Sequence, residues 1–196
     1  MTRRSLLAPV CLALFALVPP PPLAAQGEAA IYVSSGPEVG RDAPTFTLDW
    51  ASRDTVGTGP DAYGLWKDRG KVVVLAFYPR DFTHTDSLQL SLFRDRYDQL
   101  FGPDVVVLGV SVDSVRTHRR FAAQLALPFR LLSDPGLKVA ARYGSKDSGG
   151  IARRTVYVIG RDGRVAWRDD RFKPTDKRSL DGLARAVRAA VKRPVR

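Results

Sequence analysis

The chain has 196 residues, of which 44% are hydrophobic and 26% are charged. This length allows one domain of ordinary size, and the composition argues against both an intrinsically disordered chain and a membrane-embedded protein. The formal net charge is +11, yet residues 27–151 hold 15 basic and 15 acidic residues, whereas residues 152–196 hold 14 basic and five acidic ones. The positive charge is therefore a property of the C-terminal segment.

The N-terminus has the pattern of an export signal. Arg3 and Arg4 precede an apolar stretch, residues 6–18, that is too short to span a bilayer comfortably, and small residues before position 26 suit a cleavage site. We predict a signal peptide over residues 1–25, with an uncleaved N-terminal anchor as the alternative. The Arg3-Arg4 pair also fits the twin-arginine export route. Export by either route predicts a periplasmic or extracellular protein.

Cys11 is the only cysteine of the chain, and it lies within the predicted signal peptide. Removal of that peptide would leave a protein with no thiol and no disulfide of its own. Residues 26–40 are polar and unpatterned, and we interpret them as a linker. The folded domain is expected over residues 41–196, because a chain of about 170 residues buries enough surface to fold without disulfides.

Strand and helix patterns alternate through the rest of the chain. The run at 71–78 is continuously apolar, as expected for a strand buried on both faces, and the residues at 160–163 have the pattern of a hairpin turn. Along the chain we predict a strand at 71–78, a helix from Leu88 to Phe101, a strand at 105–112, a helix at 115–127, a strand at 129–132, a helix at 137–143, strands at 155–159 and 165–167, and a basic C-terminal helix within 175–196. This alternation predicts an α/β fold with a central mixed sheet flanked by helices.

The segment between the first long strand and the helix that follows it carries the clearest chemical pattern. Its sequence is Phe-Tyr-Pro-Arg-Asp-Phe-Thr-His-Thr-Asp over residues 77–86, and at the start of a helix the backbone N–H groups favour an anion. Pro79 and Thr83 have the spacing of the sequence Pro-x-x-x-Thr-x-x-Cys, which marks the peroxiredoxin (alkyl hydroperoxide reductase/thiol-specific antioxidant) family. Asp86 stands at the cysteine position of that motif.

The resemblance to this family extends from residue 41 to residue 167. Besides the motif, it includes the opening segment 42–48, the strands at 70–74 and 108–114, the segment 127–134 and the strand that follows Arg154. Within the family the chain is similar to the bacterioferritin-comigratory, monomer-type branch. The resemblance implies a thioredoxin-like fold.

The resemblance also implies roles for individual residues. In the family the proline shields the site, the threonine hydroxyl and an arginine orient the peroxide, and a thiolate attacks the O–O bond. These roles fall on Pro79, Thr83 and Arg154 here, and the nucleophile position falls on Asp86. A carboxylate is ionised at neutral pH, but its hard oxygens are weak nucleophiles toward peroxide, and sulfenic acid chemistry requires sulfur. Ser91 stands where some relatives have a resolving cysteine.

We expect Asp86 to pair with Arg154 beside Thr83, because the aspartate keeps the negative charge of a thiolate. The pair either belongs to a retained site for a small anion or a peroxide-like ligand, or it only neutralises buried charge in a protein that has lost its activity. His84 and Asp86 are not expected to bind a metal, since His118 is the only other histidine and no third ligand has metal spacing. No cofactor is expected.

Three functions remain open at this point. The first is an exported, degenerate thiol peroxidase that keeps an anion-binding pocket, and the second is a peroxide-reducing enzyme of the family type that depends on a partner's thiol. The third is an envelope interaction module that docks the basic helix within 175–196 on an acidic protein or an anionic surface. We expect a monomer or dimer and no nucleic-acid partner.

Overall fold

The computed structural model describes residues 36–194. The predicted signal peptide 1–25, Cys11 and most of the predicted linker 26–40 lie outside the described residues. Within residues 36–194, no helix is long and apolar enough to cross a membrane.

The strands of the described part form two sheets. In chain order they are β1 (Thr47–Leu48), β2 (Trp50–Ala51), β3 (Val56–Gly57), β4 (Tyr63–Gly64), β5 (Val72–Phe77), β6 (Val105–Ser111), β7 (Arg130–Ser133), β8 (Thr155–Ile159) and β9 (Val165–Asp169). Seven of them form one sheet in the order β3-β2-β7-β6-β5-β8-β9, and β1 pairs separately with β4. Strands β5, β6 and β7 are parallel, whereas β8 is antiparallel to β5. The predicted mixed sheet is confirmed.

Helices cover both faces of the seven-stranded sheet. They are α1 (His84–Asp95), α2 (Tyr97–Leu100), α3 (Val115–Gln124), α4 (Lys138–Arg142) and α5 (Lys177–Lys192). Short 3-10 turns at Gly59–Asp61 and Leu65–Asp68 precede β5. The four short strands before residue 65 were not predicted, because two-residue strands are too short to show a period in the sequence.

Strand β5 lies at the centre of the core, and all six of its residues are buried. Val72, Val74 and Ala76 face a cluster that contains residues of α1, α3 and α5. Val73 and the remaining alternate residues of β5 face a second cluster, to which α4 contributes Val139. The strand is therefore apolar throughout because both of its faces are covered.

The prediction of one continuous helix from Leu88 to Phe101 is wrong, because the structure has two helices there. Helix α1 ends at Asp95, and Arg96 leaves the helical region with φ −113° and ψ 23° before α2 begins. The apolar spacing continues across this break because Phe93 and Phe101 still meet, with ring centroids 5.3 Å apart. Leu88, the first residue of the predicted helix, is exposed.

The last residues of the predicted linker pack on the folded domain. The Gly40 N–H donates to the Val165 carbonyl at 2.8 Å, and the Val165 N–H donates to the Arg41 carbonyl at 2.9 Å. The Arg168 side chain donates to the Pro37 carbonyl at 3.1 Å. The folded domain therefore begins before residue 41, because Gly40 bonds the backbone of β9 and Pro37 bonds the Arg168 side chain.

Tyrosine burial makes the stability of the fold sensitive to alkaline pH. Burial raises the pKa of Tyr157 to about 12, and it also raises the pKa of Tyr63, Tyr78 and Tyr143. Tyrosines of an unfolded chain ionise near pH 10. Between that pH and the raised pKa of the folded state, each buried tyrosine lowers the free energy of unfolding by about 1.4 kcal/mol per pH unit. This stabilisation is complete below about pH 10 and is lost as the pH rises toward the folded-state pKa values. We expect the urea midpoint to fall above about pH 10, with tyrosinate absorbance appearing together with unfolding. A constant midpoint would contradict this expectation.

Candidate functional site

The candidate site lies where β5 ends and α1 begins. Thr83 is the N-cap of α1, and its hydroxyl accepts a hydrogen bond from the Asp86 N–H at 3.2 Å. Asp86 is the third residue of the helix, so the pair has the spacing of a capping box. The exposed backbone N–H groups and the helix dipole both favour a negative charge in this first turn.

The Asp86 carboxylate is almost completely enclosed by hydrogen-bond donors. The residue is 1% exposed. Its Oδ2 accepts from Thr83 Oγ1 at 2.5 Å and from the Arg80 N–H at 3.2 Å. Its Oδ1 accepts from Arg154 Nη1. Donors from the loop, the helix cap and a distant arginine therefore converge on one carboxylate.

Arg154 immediately precedes β8 and reaches across to α1. Its side chain is 16% exposed, and its Nη1 also donates to Gln89 Oε1 at 2.6 Å. Gln89 is fully buried, and its Nε2 has no hydrogen-bond partner among residues 36–194. Gln89 was missed at the sequence level, although residues three apart on a helix share a face, so its spacing from Asp86 could have identified it.

The structure brings together three of the predicted site residues. The expected contact between Asp86 and Arg154, with Thr83 beside them, is present. Pro79 lies in the loop directly before Arg80 and is partly buried. Ser91 lies on α1, but five residues correspond to about 140° around a helix. The position predicted for a resolving residue is therefore on a different face of α1 from Asp86.

The two histidines lie in different environments. His84 is exposed at the start of α1, whereas His118 is fully buried in α3. Within residues 36–194, no group of three histidine, cysteine or acidic side chains is placed to hold a metal ion.

A second buried charge lies on the loop that precedes α1. The Asp81 carboxylate accepts a hydrogen bond from Tyr78 Oη at 2.7 Å and lies 2.8 Å from His118 Nδ1. The Nε2 atom of His118 lies 3.1 Å from the Leu132 carbonyl oxygen. Both ring nitrogens therefore face oxygen atoms. The contact with the Leu132 carbonyl needs a proton on Nε2, and the contact with Asp81 needs a second proton, on either Nδ1 or the carboxyl group.

The same loop is held by further contacts. The Asp81 N–H donates to Asp113 Oδ2 at 2.8 Å. Phe82 has a φ of 61°, which is uncommon for a bulky residue, and its ring packs on Phe121 of α3 at a centroid distance of 4.8 Å. These contacts fix the backbone conformation that directs the Arg80 N–H toward Asp86.

Fold and site together define a class of protein. A mixed sheet of the thioredoxin-like type, with a threonine-capped helix start and an arginine that meet at one anionic group, is the frame of a peroxiredoxin. Residues 39–168 match the AhpC/TSA family, and the chain belongs to this family.

Relatives in the curated sequences agree with this assignment. The Coxiella burnetii protein named peroxiredoxin bcp is 37% identical over 137 residues, which cover 66% of this chain and 85% of the relative. The chloroplastic peroxiredoxin Q of Oryza sativa subsp. japonica is 36% identical over 138 residues, which cover 69% of this chain and 60% of the relative. The matched region therefore spans most of the bacterial relative but less than two thirds of the plant one.

Solved structures show the same fold. Peroxidoxin BcpB from Mycobacterium tuberculosis superimposes with a TM-score of 0.66 and 26% identity, over 81% of this chain and 99% of the other. The reduced 2-Cys peroxiredoxin of Plasmodium vivax gives a TM-score of 0.66 and 26% identity, over 77% and 80% of the two chains. The thioredoxin-like fold implied by the sequence is confirmed.

We predict that Asp86→Ala lowers the free energy of unfolding by about 3 kcal/mol, because it leaves the Arg154 guanidinium without its buried counterion. The loss is measured by urea denaturation. Added formate should then raise the melting temperature of Asp86→Ala, since formate can take the place of the missing carboxylate and binds only the folded state.

The matched control is Asp95→Ala, which removes an exposed partner of Arg94 from the end of the same helix. We expect a change within about 0.5 kcal/mol for this control and no response to formate. Equal destabilisation of the two variants, or no formate effect on Asp86→Ala, would contradict a dedicated anion site.

A second prediction concerns the buried imidazole. His118→Ala should lower the free energy of unfolding by about 3 kcal/mol, because it leaves the Asp81 carboxyl buried without its partner. His84→Ala, at the exposed histidine, is expected to change it by less than about 0.5 kcal/mol.

Coupling to Asp81 distinguishes this effect from simple loss of packing. The cost of His118→Ala should be clearly smaller in an Asp81→Asn background than in the native chain, as a double-mutant cycle would show. Additive effects of the two substitutions would contradict the proposed pairing.

Proposed function

We propose that this protein is an exported member of the AhpC/TSA family that does not reduce peroxides with a thiol of its own. The position that the family motif gives to the nucleophile holds an aspartate, and the anion-binding pocket of the family frame is retained around it. The observation that carries the proposal is the burial of Asp86 against Arg154, Thr83 and the Arg80 N–H.

The chemistry of the site supports the loss of thiol turnover. In peroxide reduction by a cysteine, the thiolate sulfur attacks one peroxide oxygen, the O–O bond breaks, and the cysteine becomes a sulfenic acid while water or an alcohol leaves. That step needs a sulfur that accepts oxygen and is later reduced again. Residues 12–196 contain no cysteine, and the carboxylate of Asp86 has no reducing equivalents to give.

Charge and burial support a retained anion site. A thiolate and a carboxylate both carry one negative charge, and the donors that would stabilise the first also stabilise the second. Arg154 uses only Nη1 in the contacts to Asp86 and Gln89, and its side chain is partly exposed. Its remaining N–H groups are the proposed contact point for a small anion or a peroxide-like ligand.

The test compares hydrogen peroxide consumption by the native protein and by Asp86→Cys, with a dithiol reductant present in both. We expect no consumption above the buffer rate for the native protein and a clear gain for Asp86→Cys, since Thr83 and Arg154 are already in place around the new sulfur. Asp86→Ser introduces a side chain shaped like that of cysteine, with an oxygen in place of the sulfur. It is the matched control and should remain inactive.

Different outcomes lead to different conclusions. Turnover by the native protein with the reductant alone would overturn the proposal. Turnover by the native protein only when a thiol-bearing partner protein is added would favour the alternative of a peroxide-reducing enzyme that borrows a thiol. Inactivity of Asp86→Cys would indicate that the frame no longer supports peroxide chemistry.

A further inference from the structure

Helix α5 has two faces of opposite character. The buried face consists of Ser179, Leu180, Leu183, Ala184, Val187 and Ala190. The opposite face is exposed and basic, with Arg178, Arg185, Arg188 and Lys192 on the helix and Arg193 directly after it. At 100° per residue these five residues fall within a sector of about 140°. The helix therefore presents a cationic stripe along most of its length, which is about 24 Å for 16 residues.

Little of this charge is neutralised by the protein itself. The one acidic side chain on the stripe is Asp181, which pairs with Lys177 at 2.6 Å. The hydrogen bond from Lys177 lowers the pKa of Asp181, and Arg185 and Arg188 act in the same direction. Within residues 36–194, the side chains of Arg185 and Arg188 make no hydrogen bond or ion pair. A cationic surface of this kind attracts an external anion.

A groove lies beside the stripe, between α5 and the edge strand β9. It has a volume of about 410 Å³, and Arg185 and Arg193 lie along it, while Trp167 forms part of its floor. The indole approaches Gly182 so closely that a Cβ at this position would lie 3.2 Å from Trp167 Cζ2. The rest of the floor consists of alanine side chains. The groove thus combines an apolar floor with cationic groups about two helical turns apart.

We propose that the exposed face of α5 docks the protein on a bilayer of anionic phospholipids. The basic side chains contact the headgroup phosphates, and Trp167 lies at the headgroup level, where amphipathic indole rings are favoured. This docking is independent of the Asp86 site and goes beyond the proposed function. A fluid layer of headgroups fits the stripe because mobile phosphates can adjust to four long side chains on α5 and a fifth directly after it, whereas an acidic protein would need carboxylates at matching fixed positions.

Binding to the bilayer should depend on electrostatic attraction, to which each basic residue of the stripe contributes separately. Ala186 and Ala189 are the apolar residues next to the stripe, and such small side chains gain little from insertion into the acyl region. Salt should therefore release the protein, because screening at high ionic strength weakens contacts with surface charges.

The experiment is co-sedimentation of the full chain with vesicles. One set contains phosphatidylglycerol mixed with phosphatidylcholine, and the other contains phosphatidylcholine alone. The apolar residues 6–18 can insert into either kind of vesicle, so the measured quantity is the ratio of binding to anionic and to neutral vesicles. We expect a ratio well above one for the native chain and a loss of this preference in high salt.

Charge-matched variants locate the contact. Arg185→Gln with Arg188→Gln should lower the affinity for anionic vesicles by about 30-fold, since each basic residue near an anionic surface contributes about 1 kcal/mol. The control is Arg116→Gln with Arg119→Gln, which removes the same charge from exposed positions of α3. This control should change the affinity by much less.

Three results would overturn the proposal. The first is equal binding of the native chain to anionic and neutral vesicles. The second is equal loss of binding in the α5 and α3 variants, which would indicate only a response to net charge. The third is retention of the native chain by immobilised poly-glutamate at a salt concentration that releases it from anionic vesicles, which would indicate an acidic protein as the partner.

Discussion

The ion pair between Asp86 and Arg154 connects the first turn of α1 with the residue before β8, 68 positions later in the chain. Neither charge is fully hydrated, and a buried charge without a partner is costly. Replacing either residue with an uncharged one would therefore destabilise the protein through the charge that remains. The Thr83 hydroxyl and the Arg80 N–H complete the set of donors around the carboxylate. The donors of the site therefore converge on an anionic side chain that belongs to the protein itself.

The loop that shapes this site is fixed by interactions that do not involve the nucleophile position. Asp81 is held by Tyr78 and His118, and Phe82 is held by Phe121. These groups belong to the end of β5 and to α3, so the course of the loop does not depend on the Asp86 carboxylate alone.

Charge is balanced within the Asp86 site but not on the exposed face of α5. Asp86 and Arg154 are paired with each other, whereas the exposed face of α5 carries cations that the described residues leave largely unpaired. The apolar face of α5 packs under β5, β8 and β9, so the helix is anchored to the sheet through one face only. Its outer face is available for a separate role, because nothing in the packing of the sheet depends on it.

The sequence by itself determined the fold class, the order of the main strands and helices, and the set Thr83, Asp86 and Arg154. These features depend on local patterns: the apolar run of β5, the capping residue and the spacing of a family motif. The break between α1 and α2 at Arg96, the short strands before β5 and the attachment of residues 36–40 were decided by tertiary contacts. The same holds for the pairing of Asp81 with His118, 37 residues apart. The sequence shows that such polar groups exist, but only the packing of α1 and α3 against the sheet decides which of them lose water and must therefore bond to each other.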